Sequence, residues 1–318
     1  MTATATAARS VIMAAARSDR IKRTAEKVPV TRNVVHRFVP GESHADVIRA
    51  SSGLLHSGRM ISIDYLGEDT TDEAQADATV QAYLRLIGTL GDEGVSSAGH
   101  PLEVSIKLSA LGRALPRHGE KIASENAHRI ATAAAEAGVW VTVDAEDHTT
   151  TDSALRIVRE LRSDFPDLGT VLQSYLHRTA DDCAEFSGPG SRIRLCKGAY
   201  AEPADIAHQR KEDVDDSYLR CLRILMNGRG YPMVASHDPV MIDAAGNYAV
   251  EAGRAVDDWE HQMLYGIRDT EQLRLVDAGR HVRVYVPFGS QWYGYFMRRL
   301  AERPANLTFF LRALVSRG

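Results

Sequence analysis

The chain has 318 residues and a formal net charge of −4 at pH 7. Its basic residues are interspersed with acidic ones and form no stripe, which argues against a nucleic-acid partner. The three cysteines, Cys183, Cys196 and Cys221, have no metal-ligand spacing and an odd count, so a disulfide framework is not expected. A reducing, cytoplasmic setting fits best. No apolar run approaches the roughly 18 residues of a membrane span, so we expect any membrane contact to be peripheral.

The N-terminal residues are rich in alanine and threonine. They carry Arg9 and Arg17 and no acidic residue before Asp19, a composition that superficially matches an organellar transit peptide. The alanines favour instead a helix that covers the main domain. Together with a helical pattern over residues 44–57, they predict an N-terminal helical extension over residues 1–58.

From residue 59 to 318, short apolar runs alternate with longer helical patterns. The runs predict strands at 60–65, 103–107, 140–144, 170–173, 192–196, 232–236, 260–264 and 282–285. Helices fit between them, for example at 125–136, 153–161, 217–226 and 270–275. This alternation predicts parallel strands joined by right-handed crossovers. Eight strand–helix units favour an α/β fold of the closed (β/α)8 TIM-like barrel type, and no Gly-x-Gly-x-x-Gly motif supports an open dinucleotide-binding sheet.

Polar side chains stand where seven of the predicted strands end, which is where barrels of this class carry their active sites. The set comprises Lys107, Asp144 with Glu146 and Asp147, Gln173, Arg194 with Lys197, Ser236 with His237, Gln262, and Tyr285, and the apolar Leu264 stands beside Gln262 at the end of the seventh strand. Each residue has a structural alternative. Lys107 and Asp144 could form an ion pair, and a single histidine is more often structural than catalytic. The convergence of the whole set on one face indicates a ligand site.

The segment after the fifth strand predicts one wall of that site. Gly198 allows the backbone to approach a flat or phosphorylated ligand closely, Ala199 keeps the site open, and Tyr200 could form a wall.

The last helical pattern follows the eighth strand after Pro287-Phe288-Gly289. Tyr295, Arg298, Arg299 and Glu302 share one helical face. Two guanidinium groups beside a strand end suit a small carboxylate ligand. Arginines near a helix C-terminus also favour the helix dipole, which is the structural alternative. Trp292 and Tyr293 are interpreted as packing residues.

Together these motifs resemble one family. They are Val143-Asp-Ala-Glu146, Arg194-Leu-Cys-Lys-Gly-Ala-Tyr200, Ala235-Ser-His237, Gln262-Met-Leu264, Tyr285-Val-Pro287 and Tyr295-x-x-Arg-Arg-x-x-Glu302. In order and spacing, from about residue 38 to 314, the chain resembles the FAD-dependent proline dehydrogenases, and specifically the compact monofunctional bacterial type. Cys196 stands where relatives often have a branched aliphatic residue, and Ser236 where threonine is common.

The resemblance implies a barrel that holds FAD at the strand carboxyl ends under its last helix. It assigns Lys107, Asp144, Arg298 and Arg299 as the catalytic residues. Substrate binding would add Tyr200, Leu264, Tyr285 and Tyr295 to these four. The flavin would be held by Ala145, Gln173, Arg194, Cys196, Lys197, Gly198, Ala199, Ser236, His237, Gln262, Arg299 and Glu302. Glu42 would pair with Arg298 as a gate.

The implied reaction is the oxidation of L-proline to pyrroline-5-carboxylate, the first step of proline catabolism to glutamate. A cation such as Lys107 or the arginines would lower the pKa of the substrate amine and favour its neutral form. Electrons would pass to a quinone during transient docking at the inner face of the plasma membrane. A separate pyrroline-5-carboxylate dehydrogenase is a possible partner. Tyr285 and Tyr295 predict a tight pocket that prefers proline to hydroxyproline.

Two alternatives remain open. A Schiff-base aldolase would use Lys107 or Lys197 at a strand end, and a non-catalytic amino-acid sensor would need only the arginines. No pair of histidines has metal-binding spacing, so no metal is assigned.

Overall fold

The eight predicted strands form one closed parallel barrel. A computed structural model of the chain describes residues 35–92 and 100–302, and only the backbone of 298–302. Each strand pairs with the next in sequence order, and the eighth pairs with the first. The strands are β1 Met60–Tyr65, β2 Leu102–Ile106, β3 Trp140–Val143, β4 Gly169–Gln173, β5 Arg192–Cys196, β6 Tyr231–Ala235, β7 Glu260–Leu264 and β8 Val282–Phe288. The prediction of a (β/α)8 barrel is confirmed.

Helices follow the strands and surround the barrel. They are α1 His44–His56, α2 Glu73–Asp92, α3 Gly119–Glu136, α4 Thr151–Leu161, α5 Thr179–Phe186, α6 Lys211–Asn227, α7 Pro239–Glu251, α8 Asp269–Asp277 and α9 Trp292–Glu302. The helices predicted at 125–136 and 217–226 begin six residues earlier in the structure, at residues 119 and 211. Their first turns are polar, so the apolar periodicity that predicted them starts later than the helix itself.

Local sequence explains how several helices start. Ser43 caps α1 through a capping box with Asp46. Asp238 caps α7 and is followed by proline at the first helical position. Helix α4 buries one apolar stripe, Ala154, Leu155, Ile157, Val158 and Leu161, against the barrel wall.

Strand residues alternate between an apolar outer face and a polar interior. On β1, for example, Ile61 and Ile63 belong to the hydrophobic core, whereas Ser62 and Asp64 hydrogen-bond inside the barrel. Interiors of this fold are usually filled by branched aliphatic side chains. Here the interior instead holds hydrogen-bonded charges, which determine the chemistry of the strand ends.

The N-terminal part of the chain is described from residue 35 onward. Helix α1 contacts β1 and β8. The expected helix over the first residues lies outside the described part, so the division at residues 58 and 59 stays a prediction. Among the described residues, no helix combines the length and the apolar character that crossing a membrane requires.

Candidate active site

A pocket of about 420 Å³ opens at the carboxyl ends of the strands, within the usual size range for small-molecule sites. Its lining contains every described residue that the resemblance assigns to the substrate or the flavin, whereas Glu42, and Glu146 and Asp147 of the strand-end set, do not line it. The assigned residues in the lining are Lys107, Asp144, Ala145, Gln173, Arg194, Cys196, Lys197, Gly198, Ala199, Tyr200, Ser236, His237, Gln262, Leu264, Tyr285 and Tyr295. Val171, Ala235, Asp238 and Met263 complete the lining.

Lys107 and Asp144 do meet at the floor of the pocket, but their direct contact is loose. Lys107 Nζ lies 3.7 Å from Asp144 Oδ2 and 3.4 Å from the hydroxyl of Tyr285. That hydroxyl donates to Asp144 Oδ2 at 2.7 Å. The closest partner of Lys107 is Asp64 on β1, whose Oδ2 lies 2.6 Å from Nζ.

Asp64 is a site residue that the sequence interpretation missed. Strand β1 was predicted with the correct bounds, but it ends at Tyr65, and the polar residue one position earlier was not considered. Because strand side chains alternate between faces, Asp64 points inward with Ser62. An alternation-based search of β1 would have found it.

Asp64 and Asp144 determine the charge state of Lys107. Burial on its own would lower the pKa of Lys107, but the carboxylates of Asp64 and Asp144 outweigh it, with a smaller contribution from Glu68, and the net shift is upward. Lys107 is therefore an ammonium group at any physiological pH. Burial also raises the pKa of Asp144, and the charges of Arg194 and Lys107 oppose that rise.

Arg194 lines the pocket and its guanidinium extends into the barrel interior. Its Nη1 donates to Asp144 Oδ1 at 2.6 Å and to Ser105 at 3.0 Å. Its Nη2 donates to Glu103 Oε1 at 2.7 Å and to Ser62 at 3.2 Å. Nε donates to Gln262. These five bonds engage every N–H group of the guanidinium, so the side chain is fixed and links Asp144 to the barrel interior.

A lower layer of charges supports Arg194. Glu103 also accepts from Arg192 and from Thr142. On the opposite side, Arg283 binds Glu260 through two hydrogen bonds of 2.7 and 2.9 Å. The charges of Arg192, Arg283 and Arg194 hold the pKa of Glu103 far below its ordinary value, although burial opposes the shift.

Three predicted cofactor residues lie on the side of the pocket formed by β5 and β6. Lys197 Nζ donates to Asp215 at 2.6 Å and to Asp238 at 2.9 Å. The Nε2 atom of His237 accepts the main-chain N–H of Leu264 at 2.9 Å, so the ring carries its proton on Nδ1. Ser236 Oγ accepts the main-chain N–H of Asp238 at 3.1 Å.

Gly198 has a backbone conformation that favours glycine, with φ of 112°. A Cβ atom at this position would stand 2.4 Å from the ring of Tyr175. The close approach that requires glycine is therefore to Tyr175. The expected approach to a ligand on the other side stays a prediction.

The opposite wall is held by Glu146, which follows β3. Its carboxylate accepts from Arg113 at 2.9 Å and from the main chain of Ser109 at 3.1 Å, both in a short π-helix after β2. Gln173 donates to the main-chain oxygen of Glu146 at 2.8 Å. Gln173 thus orients the β3 loop as well as lining the pocket.

Helix α9 brings Tyr295 to the pocket. Trp292 and Tyr293 are buried in a cluster with Phe38 and Phe296, in agreement with the packing interpretation. The helix includes Arg298, Arg299 and Glu302, but their side chains lie outside the described part of the structure. The described partner of Glu42 is Trp292, whose Nε1 donates to Glu42 Oε1 at 2.9 Å. The Glu42–Arg298 gate stays a prediction.

Comparisons with known proteins agree with this architecture. A family model described as proline dehydrogenase matches residues 47–312. Proline dehydrogenase of Deinococcus radiodurans is 39% identical over 285 residues, which cover 89% of this chain and 90% of that protein. Proline dehydrogenase 2 of Bacillus subtilis is 35% identical over 288 residues, covering 90% of this chain and 92% of the relative.

Among solved structures, proline utilization A (PutA) from Bdellovibrio bacteriovorus inactivated by N-propargylglycine has the same fold, with a TM-score of 0.79 at 24% sequence identity. The match covers 91% of this chain and 34% of that protein, so this chain spans about a third of its length. The family resemblance inferred from the motifs is thus confirmed. The chain belongs to the proline dehydrogenase family.

Proposed function

We propose that this protein is an FAD-dependent proline dehydrogenase that oxidises L-proline to pyrroline-5-carboxylate, with its barrel as the catalytic unit. The observation that carries the proposal is one pocket at the strand ends, which gathers the predicted residues from seven of the eight strands or the loops after them, and from α9. Packing of the barrel alone does not explain why polar side chains so far apart in sequence meet in one cavity. Membership of the family supplies the reaction class.

The lining fits a flavin. Ala145, Gly198, Ala199 and Ser236 give the upper walls small side chains that leave room for a flat ring system. Lys197 has three N–H groups, two of which it donates to Asp215 and Asp238. Its third N–H group would donate to a pyrophosphate oxygen. When bound, FAD would accept the hydride from the carbon next to the ring nitrogen of proline.

The protein's own residues would bind and orient the substrate. Tyr295 precedes Arg298 and Arg299 by about one helical turn, so helical periodicity would bring all three to the same side of α9. There they would bind the proline carboxylate in the bidentate manner that lysine cannot reproduce. Tyr285 and Leu264 would enclose the methylenes, and Tyr200 would close the far side.

The buried charges bear on the protonation of the substrate amine. Lys107, Arg194 and Arg192 carry three positive charges, and Asp64, Asp144 and Glu103 carry up to three negative ones. Lys107 is therefore compensated within the protein and does not by itself make the site cationic. The arginines of α9 would have to supply the charge that lowers the pKa of the amine.

The Schiff-base alternative requires a lysine that becomes neutral. Lys107 is poorly suited, because the neighbouring carboxylates raise its pKa. Lys197 is held between Asp215 and Asp238. The sensor alternative would leave the conjunction of Arg194, Lys197 and His237 in one pocket unexplained.

The finer steps follow from the same proposal. The electrons would pass to a quinone while the protein docks peripherally at the inner face of the plasma membrane. Pyrroline-5-carboxylate would be handed to a second dehydrogenase on the route to glutamate.

A visible spectrum tests the proposal directly. The purified protein, reconstituted with FAD where necessary, should show flavin bands near roughly 375 and 450 nm that bleach when L-proline is added without oxygen. D-proline serves as the control ligand. A protein that takes up no FAD would contradict the cofactor assignment. Bound flavin that L-proline does not bleach would contradict the substrate assignment.

A further inference from the structure

Glu202 is a buried carboxylate in the loop between β5 and α6, outside every role assigned above. Its neighbours Ala201 and Pro203 are exposed, but its own side chain is only 3% exposed. A charged side chain is rarely buried in an otherwise exposed loop unless specific partners compensate its desolvation. Its partners therefore indicate its purpose.

Two other strand-end loops supply those partners. From the loop after β3, the main-chain N–H of His148 donates to Glu202 Oε1 at 3.0 Å, and His148 Nδ1 contacts Oε2. From the loop after β4, the hydroxyl of Tyr175 donates to Oε1 at 3.2 Å. Glu202 thus joins three consecutive loops at the rim of the barrel.

Tyr175 connects this carboxylate to the pocket wall. Its ring lies against Gly198, where a Cβ would stand 2.4 Å away. Its hydroxyl meets the main-chain N–H of Tyr200. Burial and the charge of Glu202 raise the pKa of Tyr175, so the hydroxyl stays protonated and donates. The ring and the hydroxyl of one tyrosine therefore fix both ends of the segment 198–200.

Main-chain hydrogen bonds to the β4 loop anchor this loop near its two ends, and a turn within it has the N–H groups of Ile206 and Ala207 donating to Pro203 O at 3.1 and 3.0 Å. Tyr175 N–H donates to Lys197 O at 2.9 Å, and His208 N–H donates to Tyr175 O at 2.8 Å. Glu202 lies between these anchors, two residues beyond Tyr200. Side-chain contacts through Glu202 are well placed to fix the middle of the loop.

We propose that Glu202 is a positioning residue, which acts with Tyr175 and His148 to hold the pocket wall Gly198–Ala199–Tyr200 in place for the cofactor and the substrate. This inference rests on the proposed function, because it assigns that wall to the flavin and proline. Glu202 itself does not line the pocket, so its effect would be transmitted through the loop.

The test compares four variants of the full chain with the wild type. Glu202→Ala removes the carboxylate, and Glu202→Gln keeps an oxygen that accepts from His148 and Tyr175. Tyr175→Phe removes one hydroxyl and keeps the ring against Gly198. Glu212→Ala is the matched control, since Glu212 is an exposed glutamate in the first turn of the next helix.

Three experiments are carried out on each variant: titration of flavin-stripped protein for the FAD dissociation constant, steady-state kinetics for KM and kcat with L-proline, and amide hydrogen exchange over residues 197–208 without ligand. Glu202→Ala leaves buried donors unsatisfied, and we expect it to weaken FAD binding and raise KM by about tenfold each. Tyr175→Phe should also weaken FAD binding and raise KM, but by smaller factors than Glu202→Ala. Glu202→Gln should recover most of the loss, and Glu212→Ala should match the wild type.

The outcomes separate this inference from the proposed function. An active wild type with unchanged FAD affinity and KM in Glu202→Ala would overturn the positioning role and leave the enzyme assignment intact, even if the variant melts earlier. A wild type that neither binds FAD nor oxidises proline would overturn the proposed function. In that case hydrogen exchange still decides whether Glu202 holds the loop. If residues 197–208 exchange as slowly in Glu202→Ala as in Glu212→Ala, the carboxylate does not hold the loop.

Discussion

The carboxylate of Asp64 holds the ammonium of Lys107 at 2.6 Å, and the side chains of both residues are almost completely buried, at 1% and 9% exposure. Lys107 has Asp144 as a second acidic neighbour at 3.7 Å. Asp64 therefore decides where the ammonium stands and keeps Asp144 available to Tyr285 and Arg194. Removal of one member of a buried ion pair leaves the other charge uncompensated.

We expect Asp64→Asn to lower the free energy of unfolding by about 3–5 kcal/mol. Lys107 would move toward Asp144 and compete with Tyr285, so kcat/KM for proline should also fall. Urea denaturation and steady-state kinetics measure the two effects. Asp69→Asn, an exposed change in the following loop, is the control and should stay within about 0.5 kcal/mol of the wild type. An Asp64→Asn protein of wild-type stability would show that the pair contributes nothing.

The sequence predicted the strand-end residues well because their position depends only on strand boundaries. Lys107, Asp144 and Tyr285 come together as soon as a barrel closes. Their partners depend on register and strand tilt, which no local pattern specifies. Thus Lys107 was matched with Asp144, on the strand next to its own, whereas its closest contact is Asp64 on the strand at the other side.

The charged barrel interior illustrates a second limit. The alternating positions Glu103, Ser105 and Lys107 are visible in the sequence, as are Arg192 and Arg194. Alternation indicates that each set shares one face. It does not indicate that Arg194 turns all its donors toward the interior, because that arrangement requires Gln262 and Ser62 from strands distant in sequence.

Gly198 allows a matched comparison of two glycines with positive φ. A Cβ at Gly198 would clash with the ring of Tyr175, whereas a Cβ at Gly138, with φ of 69°, would meet nothing within 4 Å. Both substitutions to alanine carry the backbone penalty of about 1 kcal/mol. We expect Gly198→Ala to cost several kcal/mol more, since a ring and a backbone segment must both shift, and to weaken FAD binding.

Thermal unfolding of the two variants measures the difference, and FAD titration shows whether the pocket wall has moved. Equal melting temperatures for Gly198→Ala and Gly138→Ala would mean that the ring of Tyr175 moves away from the new Cβ atom without lowering the stability of the fold. The variant Gly198→Ala/Tyr175→Ala should recover part of the FAD affinity if the ring is the obstacle.

His261 predicts a pH dependence of stability. It lies on the outer face of β7, 2% exposed, with its ring beside Trp259. Burial, reinforced by the charge of Arg280, lowers the pKa of His261 to about 4 from an ordinary value of 6.5. The unfolded chain therefore binds a proton that the folded protein excludes. The contribution of this pKa difference to the free energy of unfolding is fully present above pH 6.5. As the pH falls toward 4, on the order of 3 kcal/mol of it is lost.

Chemical denaturation between pH 4.5 and 7 measures this loss, and His261→Phe is the informative variant, because it keeps a ring against Trp259 and cannot titrate. We expect the stability of the variant to depend less steeply on pH over this interval. Carboxylates contribute equally to both proteins at the acidic end. Parallel profiles would show that His261 gains a proton in the folded state as readily as in the unfolded one.

The contact between Glu42 and Trp292 separates two roles for Glu42. If the carboxylate anchors α9 by accepting from the indole at 2.9 Å, Glu42→Gln keeps an acceptor and should retain nearly wild-type KM for proline. Glu42→Ala and Trp292→Phe should then raise KM alike, by roughly two- to tenfold for a lost hydrogen bond of about 0.5–1.5 kcal/mol.

If Glu42 serves instead as an ionic gate for Arg298, its charge matters. Glu42→Gln would then behave like Glu42→Ala, and Trp292→Phe would differ from both. We expect the first pattern, because the indole contact links the segment before α1 to the helix that carries Tyr295 and both arginines.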